Sequence, residues 1–368
     1  MIKLPKHIEE LTPYKAGKPI EELAREKGLT KIVKLASNEN PLGPSPRAIE
    51  AIKNTLGELH RYTDPKCYEL TKKLSEYYEV PQERIIAASG SDAILQYIIS
   101  TVCHGDDEVI TSEGTFIGWY VNADKYNIKC VKTLLSDYTY DLEAILASIT
   151  PKTKVIYLAN PNNPTGTMFT KSQFEEFMRQ VPASILVVLD EAYTLYAREY
   201  PDYPDGLKYE MPNLMVLRTF SKDYGLAGLR IGAGFGDPRL IHALFKVKLP
   251  FEPNMLAQAG AIAALGDVEF LKKTAELNRW SLNRFREVFD ALGISYTRSV
   301  GNFLMLIFPD EEFALRFNND CLERGLILRH TGSFGVANGV RINSGTEEET
   351  EFAIKVITDV MEQIKAHV

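Results

Sequence analysis

Lys222 stands where an apolar run gives out. Leu214, Met215, Val216 and Leu217 read as a buried strand, after which the chain turns small and polar at Thr219, Ser221 and Lys222. A glycine-rich segment follows, and Arg230 returns the chain to apolar sequence. A lysine placed between hydroxyls and near a second cation is poorly solvated. Its pKa is expected to fall toward that of a nucleophilic amine, which a Schiff-base lysine requires. Taken alone it would read as an ordinary loop lysine, because lysine is rarely buried without a partner. Its company decides otherwise.

Three other apolar runs end in the same way. RIIAASGS closes on Ser89, Gly90 and Ser91, and Asp92 begins a helix there. Unpaired N–H groups and the helix dipole at such a start favour an anion. Asn162 and Asn163 follow the run that stops at Ala159, and ILVVLDEAY ends on Asp190 and Tyr193. In an open parallel α/β sheet, ligands bind beyond the carboxyl ends of the strands, so these groups are expected to converge. Arg230, Thr219 and Ser221 would add donors to the same anion. Asp190 closes a wholly apolar run and must be paired or neutralised, for which a protonated ring nitrogen is a suitable partner. Tyr193 and Asn163 could hydrogen-bond a phenolate oxygen. An anion, a ring nitrogen, a phenolate and an aldehyde together describe pyridoxal phosphate.

Singly, each signal has a plainer reading. Ser89 to Ser91 could serve only as a helix cap, Asp190 as a structural acid, Arg341 as a surface or ion-pair arginine. The glycines between Gly225 and Gly236 do not fit Gly-x-Gly-x-x-Gly, and they precede a strand rather than bridge strand to helix. No pair among the six histidines has metal-ligand spacing.

The elements that must carry these groups alternate. Continuous apolar runs separated by helical stretches predict an α/β fold, with a large domain built on a mainly parallel sheet between helices and a smaller α+β domain. The expected division is an N-terminal arm (1–30), a large cofactor-binding domain (31–250) and a small C-terminal domain (251–368), broken where Pro250 and Pro253 punctuate the chain. For 368 residues, one large and one smaller unit is the natural expectation. A net charge of -7 without a basic tract argues against nucleic acid as a partner. The four scattered cysteines suit a reducing compartment. No apolar run reaches membrane-spanning length, and the charged opening MIKLPKHIEELTPYK is not expected to be a signal peptide. A cytoplasmic protein is the expectation.

SKDYGLAGLRIG, NPNNPTG and DEAY, in their order and separations, resemble a fold-type-I pyridoxal-phosphate aminotransferase. LTPYKAGKPIEELAREKG, KLASNENPLGPSP, HRYTD, RTFSK and VRINSGTEEE resemble, more narrowly, the histidinol-phosphate aminotransferase family. That resemblance implies that Lys222 carries the cofactor and moves the proton in transamination. It implies Asp190 at the pyridine nitrogen, Asn163 and Tyr193 at the phenolate oxygen, and Phe116 stacked on the ring. Gly90, Ser91, Asp92, Thr219, Ser221 and Arg230 would hold the cofactor phosphate, joined by Tyr62 from the neighbouring subunit of a homodimer with shared sites. Arg341 would clamp a substrate carboxylate with Asn38 nearby, and Arg329 with Tyr14 would take a substrate phosphate. Ala93, Gly114 and His330 depart from the family pattern, and none of them touches the chemistry at the lysine.

The implied reaction is amino transfer between L-histidinol phosphate and 2-oxoglutarate by a ping-pong mechanism, in histidine biosynthesis, with a small-molecule amino donor and a 2-oxo acid acceptor as partners. An aromatic aminotransferase acting on phenylalanine or tyrosine and a threonine-phosphate decarboxylase remain alternatives, as does a catalytically idle scaffold.

Overall fold

The computed structural model describes residues 2–11 and 20–366. Short helices at Lys6–Glu9 and Ile20–Lys27 precede β1 (Val33–Lys34). β2 (Ile85–Ala88), β3 (Glu108–Ser112) and β4 (Lys129–Thr133) belong to a larger sheet, and β5 (Leu135–Ser136) with β6 (Thr139–Tyr140) makes a small hairpin beside it. The larger sheet is completed by β7 (Thr153–Ala159), β8 (Leu186–Asp190), β9 (Leu214–Thr219) and β10 (Gly232–Phe235). Its order is β2-β10-β9-β8-β7-β3-β4. All adjacent pairs are parallel except those of β10, which runs antiparallel to both β2 and β9.

The continuous apolar runs are explained by cover on both faces. Side chains alternate along a strand, so Val187 and Leu189 of β8 join one core with Phe174, Phe177, Leu70 and Leu74, whereas Leu186 and Val188 join another with Ile94, Leu95, Ile98 and Ile99. Full burial of each such side chain contributes roughly 1.5–3 kcal/mol. The helices that supply the cover are capped by their own sequence: Thr170 and Gln173 form a reciprocal capping box at Lys171–Gln180.

A four-stranded antiparallel sheet lies in the C-terminal part, where β11 (Ser295–Tyr296), β12 (Phe303–Ile307), β14 (Arg329–His330) and β15 (Gly339–Asn343) pair in the order β11-β12-β15-β14. The helices Val268–Leu292, Glu311–Glu323 and Glu347–Ala366 contribute to its core. Two features cross the division expected at about residue 250. β1 pairs in parallel with β13 (Leu326–Ile327), so Val33 and Leu35 enter the C-terminal core rather than the larger one. In the other direction, Ala257, Ala261, Ala264 and Leu265 of the helix Met255–Leu265 pack into the core of the larger sheet, beside the helix Pro46–Thr55. A helix rich in alanine is small on all sides and fits wherever backbones approach closely. Consistent with that, a Cβ added at Gly260 would lie 3.2 Å from Ile52 Cδ1.

Candidate active site

Six strands of the larger sheet point their carboxyl ends the same way, and the turns beyond five of them (β2, β3, β7, β8 and β9) help enclose a cavity of about 270 Å³. Ser91, Asp92, Phe116, Asn163, Asp190, Tyr193, Thr219, Ser221, Lys222 and Arg230 line it. Those ten residues come from five segments, one at or beyond the end of each of β2, β3, β7, β8 and β9, and were all singled out in the sequence.

Lys222 follows β9 by three positions, and its Nζ donates to the Ser37 carbonyl at 3.0 Å. Its side chain is half-buried. Burial pushes its ammonium down to about 8, assisted by the Arg341 and Arg230 guanidiniums and opposed by Glu39 and Asp190. About a tenth of the side chain is therefore a neutral amine at about pH 7, far more than for an ordinary lysine.

Asp190 ends β8 and is buried. Tyr157 Oη donates to its Oδ2 at 2.8 Å, while Oδ1 has no hydrogen-bond partner. Burial raises the carboxyl to about 6, with the Tyr157 hydroxyl and the Ala192 N–H pulling it back. An unpartnered carboxylate oxygen at a cavity wall is an acceptor awaiting a ligand donor.

The anion end is built by close backbone approach. Ser91 begins the helix Ser91–Val102 behind Gly90, whose φ of 93° is open to glycine alone at low strain. A Cβ at Gly90 would come within 2.7 Å of Arg230 Nη2, and one at Gly232 within 2.4 Å of the Ser91 nitrogen. Arg230 itself has a positive φ of 54°, which costs of order 1 kcal/mol and is a feature of functional sites. Its Nη1 reaches Ser221 Oγ at 3.4 Å, and the Ser221 N–H donates to Thr219 Oγ1 at 3.1 Å. Asp92 accepts from Asn122 Nδ2 at 3.0 Å, and burial raises its carboxyl.

Arg341 and Asn38 stand behind the wall. Arg341 is buried, donates to the Ala36 carbonyl at 2.6 Å and to Asn163 Oδ1, and lies over the rings of Phe303 and Phe334. Asn38 Nδ2 donates to Tyr193 Oη at 2.8 Å. Gly90 completes the anion turn. Arg329 does not line this cavity, and its Nη2 donates to Ser333 Oγ at 3.4 Å. Tyr62 does not line this cavity: it is 82% exposed and stacks on Phe251 with centroids 4.3 Å apart. Tyr14 lies outside the described residues.

The sequence reading missed Ser37, Glu39 and Tyr157, which also line the cavity. Ser37 acts through its backbone carbonyl, which no side-chain pattern announces. Tyr157 carried a signal, since a tyrosine inside the aliphatic run KVIYLA needs a partner for its hydroxyl. Among the described residues no group of His, Cys, Asp and Glu could hold a metal ion. The donor set instead suits an organic phosphate with a protonated ring nitrogen.

The sequence profile described as "Aminotransferase class I and II" matches residues 30–357. A protein of Moorella thermoacetica named histidinol-phosphate aminotransferase is 38% identical, over 96% of this chain and 92% of its own length. One of Cupriavidus pinatubonensis named histidinol-phosphate aminotransferase 1 is 40% identical, over 94% of this chain and 93% of its own. The crystal structure of histidinol-phosphate aminotransferase from Sinorhizobium meliloti, in complex with pyridoxal-5'-phosphate, superposes with a TM-score of 0.92 at 26% identity and covers 99% of both chains. A single mutant of Thermus thermophilus aspartate aminotransferase shares the fold, with a TM-score of 0.85 at 23% identity and coverage of 98% of this chain and 100% of its own. The α/β architecture is that of the fold-type-I aminotransferases, and the chain belongs to the aminotransferase class I and II family, in its histidinol-phosphate aminotransferase branch.

Proposed function

We propose that this chain transfers an amino group between L-histidinol phosphate and 2-oxoglutarate with pyridoxal 5'-phosphate held in the cavity at the ends of β7, β8 and β9, working as a cytoplasmic homodimer. The observation that carries the reading is the presence in one cavity of Lys222, its amine brought down to about 8, and Asp190, its Oδ1 unpartnered. Near-full-length relatives at 38% and 40% identity support the substrate. No helix among the described residues is long and apolar enough to cross a membrane.

The residues present fit the cofactor. The orphaned Asp190 Oδ1 offers an acceptor to a ring N–H, and the space above Gly90, which a Cβ would fill, brings Arg230 against the helix start. When bound, pyridoxal phosphate supplies an electron sink and an aldehyde that accepts the donor's amine. Asp190 keeps the ring nitrogen protonated. Asn163 and Tyr193 hold the phenolate oxygen, and Phe116 covers the ring face. Ser91, Thr219, Ser221 and Arg230, with the backbone at Gly90 and Asp92, bind the phosphate. Lys222 Nζ holds the cofactor between turnovers. When not engaged with the cofactor, its amine would move a proton from the donor's Cα, a task suited to an amine poised near neutrality. Arg341 receives the carboxylate of glutamate with Asn38 beside it, and Arg329 the phosphate of histidinol phosphate. Tyr62 reaches the cofactor phosphate of the partner subunit.

The test is a half-reaction followed by the cofactor's absorbance, with histidinol phosphate and phenylalanine side by side. Conversion is expected with histidinol phosphate at concentrations where phenylalanine does little. An equal response to phenylalanine would move the reading to an aromatic amino acid substrate.

A further inference from the structure

Tyr157 is a third group at the ring-nitrogen end of the cavity. It lies on β7 two residues before Ala159, whose Cα partner across β7 and β8 is Asp190. Side chains two positions apart share a face, so Tyr157 is the diagonal neighbour of Asp190, and its ring is long enough to span the diagonal. The Tyr157 ring is fully buried and stacked on Trp119, with centroids 4.9 Å apart and planes 11° apart. That stack fixes where the hydroxyl points, and it points at Asp190 Oδ2, 2.8 Å away.

Burial and the Asp190 charge hold the Tyr157 phenol well above its ordinary pKa, so it stays protonated and can only donate to the carboxylate. A donated hydrogen bond favours the ionised acid. The other charges and dipoles that act on Asp190 are the Ala192 N–H and Lys222, which lower its pKa, and Asp92, which raises it. The Tyr140 phenol, held up by burial, is a neutral neighbour of Asp190, and Tyr193 acts on Tyr157. With Oδ2 occupied, Oδ1 remains for the cavity.

Resting on the cofactor reading above, we infer that Tyr157 is a positioning residue for the ring-nitrogen contact. By donating to Oδ2 it locks the rotation of the Asp190 carboxylate, keeps it ionised, and leaves Oδ1 aimed at the ring. Tyr157 itself touches no reacting atom.

The experiment compares wild-type protein with Tyr157→Phe, which keeps the ring and its stack on Trp119. Full-length protein is freed of cofactor and titrated with pyridoxal phosphate, and separately with the analogue that has carbon in place of the ring nitrogen. Tyr157→Phe is expected to weaken pyridoxal phosphate by about tenfold, the scale of a hydrogen bond to a charged group, and to leave the analogue's affinity within about twofold. The acid limb of pyridoxal phosphate binding should also move to higher pH, because Asp190 would ionise later. The analogue serves as the internal control for folding. Equal losses for both ligands, or no loss for either, would reduce Tyr157 to packing and overturn the inference. Wild-type protein that fails to distinguish the two ligands would overturn the Asp190 reading itself, an outcome visible before any variant is made.

Discussion

Arg329 and Arg341 are Cα partners across β14 and β15, and the Phe334 ring lies 5.4 Å from the first guanidinium carbon and 5.6 Å from the second. Like charges directly opposite on a sheet repel, and an aromatic face between them gives each cation an attraction of about 0.5–1 kcal/mol. The two arginines differ in how they are held. Arg341 is buried and donates to Ala36 O at 2.6 Å, whereas Arg329 is half-buried and donates to Ser333 Oγ at 3.4 Å. The first suits a fixed clamp, the second an arm that settles on a larger anion.

Arg329→Ala is accordingly expected to raise KM for histidinol phosphate by about tenfold or more, the scale of a lost charge-assisted hydrogen bond. The response to phenylalanine, which has no phosphate, should stay within about twofold. The half-reaction with each substrate measures both. A uniform rise would show that Arg329 supports the site generally and does not select the phosphate.

Much of this site was legible because polar residues at the ends of apolar runs have few reasons to be there. Lys222, Asp190, Asn163 and Ser91 all announced themselves in that way. Tyr157 did not, because within KVIYLA its ring counts as core and its hydroxyl's destination depends on the β7–β8 register. Sheet order posed a similar limit. The lone antiparallel strand β10 begins with Gly232, and only in three dimensions does that glycine prove to pass under the Ser91 nitrogen. The pairing of β1 with β13 joins short strands far apart in sequence, neither long enough to show a pattern. The helix Met255–Leu265 is apolar on nearly every side, so its periodicity could not say which core it joins.

Asp190 sets up a conflict between stability and function. Its carboxyl is raised from 3.8 to about 6, chiefly by burial. Between those values the folded chain holds the proton more tightly than the unfolded chain, so stability falls as pH rises through that window and stays low above it. Asp190→Asn removes the buried charge. Cofactor-free protein carrying it should be more stable than wild type at about pH 7, by up to about 3 kcal/mol. The gap should close below about pH 4, where the wild-type group is protonated in both states. Denaturant unfolding at the two pH values measures it. Equal stability at the higher pH would show that the carboxylate is better solvated than its burial implies.

Gly90 offers a test of the anion end alone. Gly90→Ala forces a side chain onto a φ of 93° and a Cβ to within 2.7 Å of Arg230 Nη2. Backbone strain of this kind costs of order 1–3 kcal/mol, and Arg230 must move away from the helix start. Affinity for pyridoxal phosphate should fall by about tenfold or more, while affinity for pyridoxal, which lacks the phosphate, should change little. Parallel titrations of the cofactor-free protein decide it. Equal losses for both ligands would mean that the turn at Gly90 supports the whole cavity.

Tyr62 is 82% exposed and leans on the half-exposed Phe251, so within its own chain it has no part in the cavity at Lys222. If it completes the phosphate site of a partner subunit, two defective chains can repair each other. Lys222→Ala should lower turnover by about 10³-fold or more, since it removes the proton-moving amine, and Tyr62→Ala should weaken cofactor retention. In a dimer formed from one chain of each kind, the Tyr62→Ala chain keeps its own Lys222 and borrows Tyr62 from its neighbour. That dimer has one intact site, and the other site carries both defects. Random assortment makes half of the dimers mixed, so about a quarter of all sites should recover. The measurement is activity after the two variants are unfolded and refolded together, compared with the same variants refolded apart. Recovery confined to the joint sample requires a shared site. Its absence, with mixed dimers demonstrated by mass, would confine each active site to a single chain.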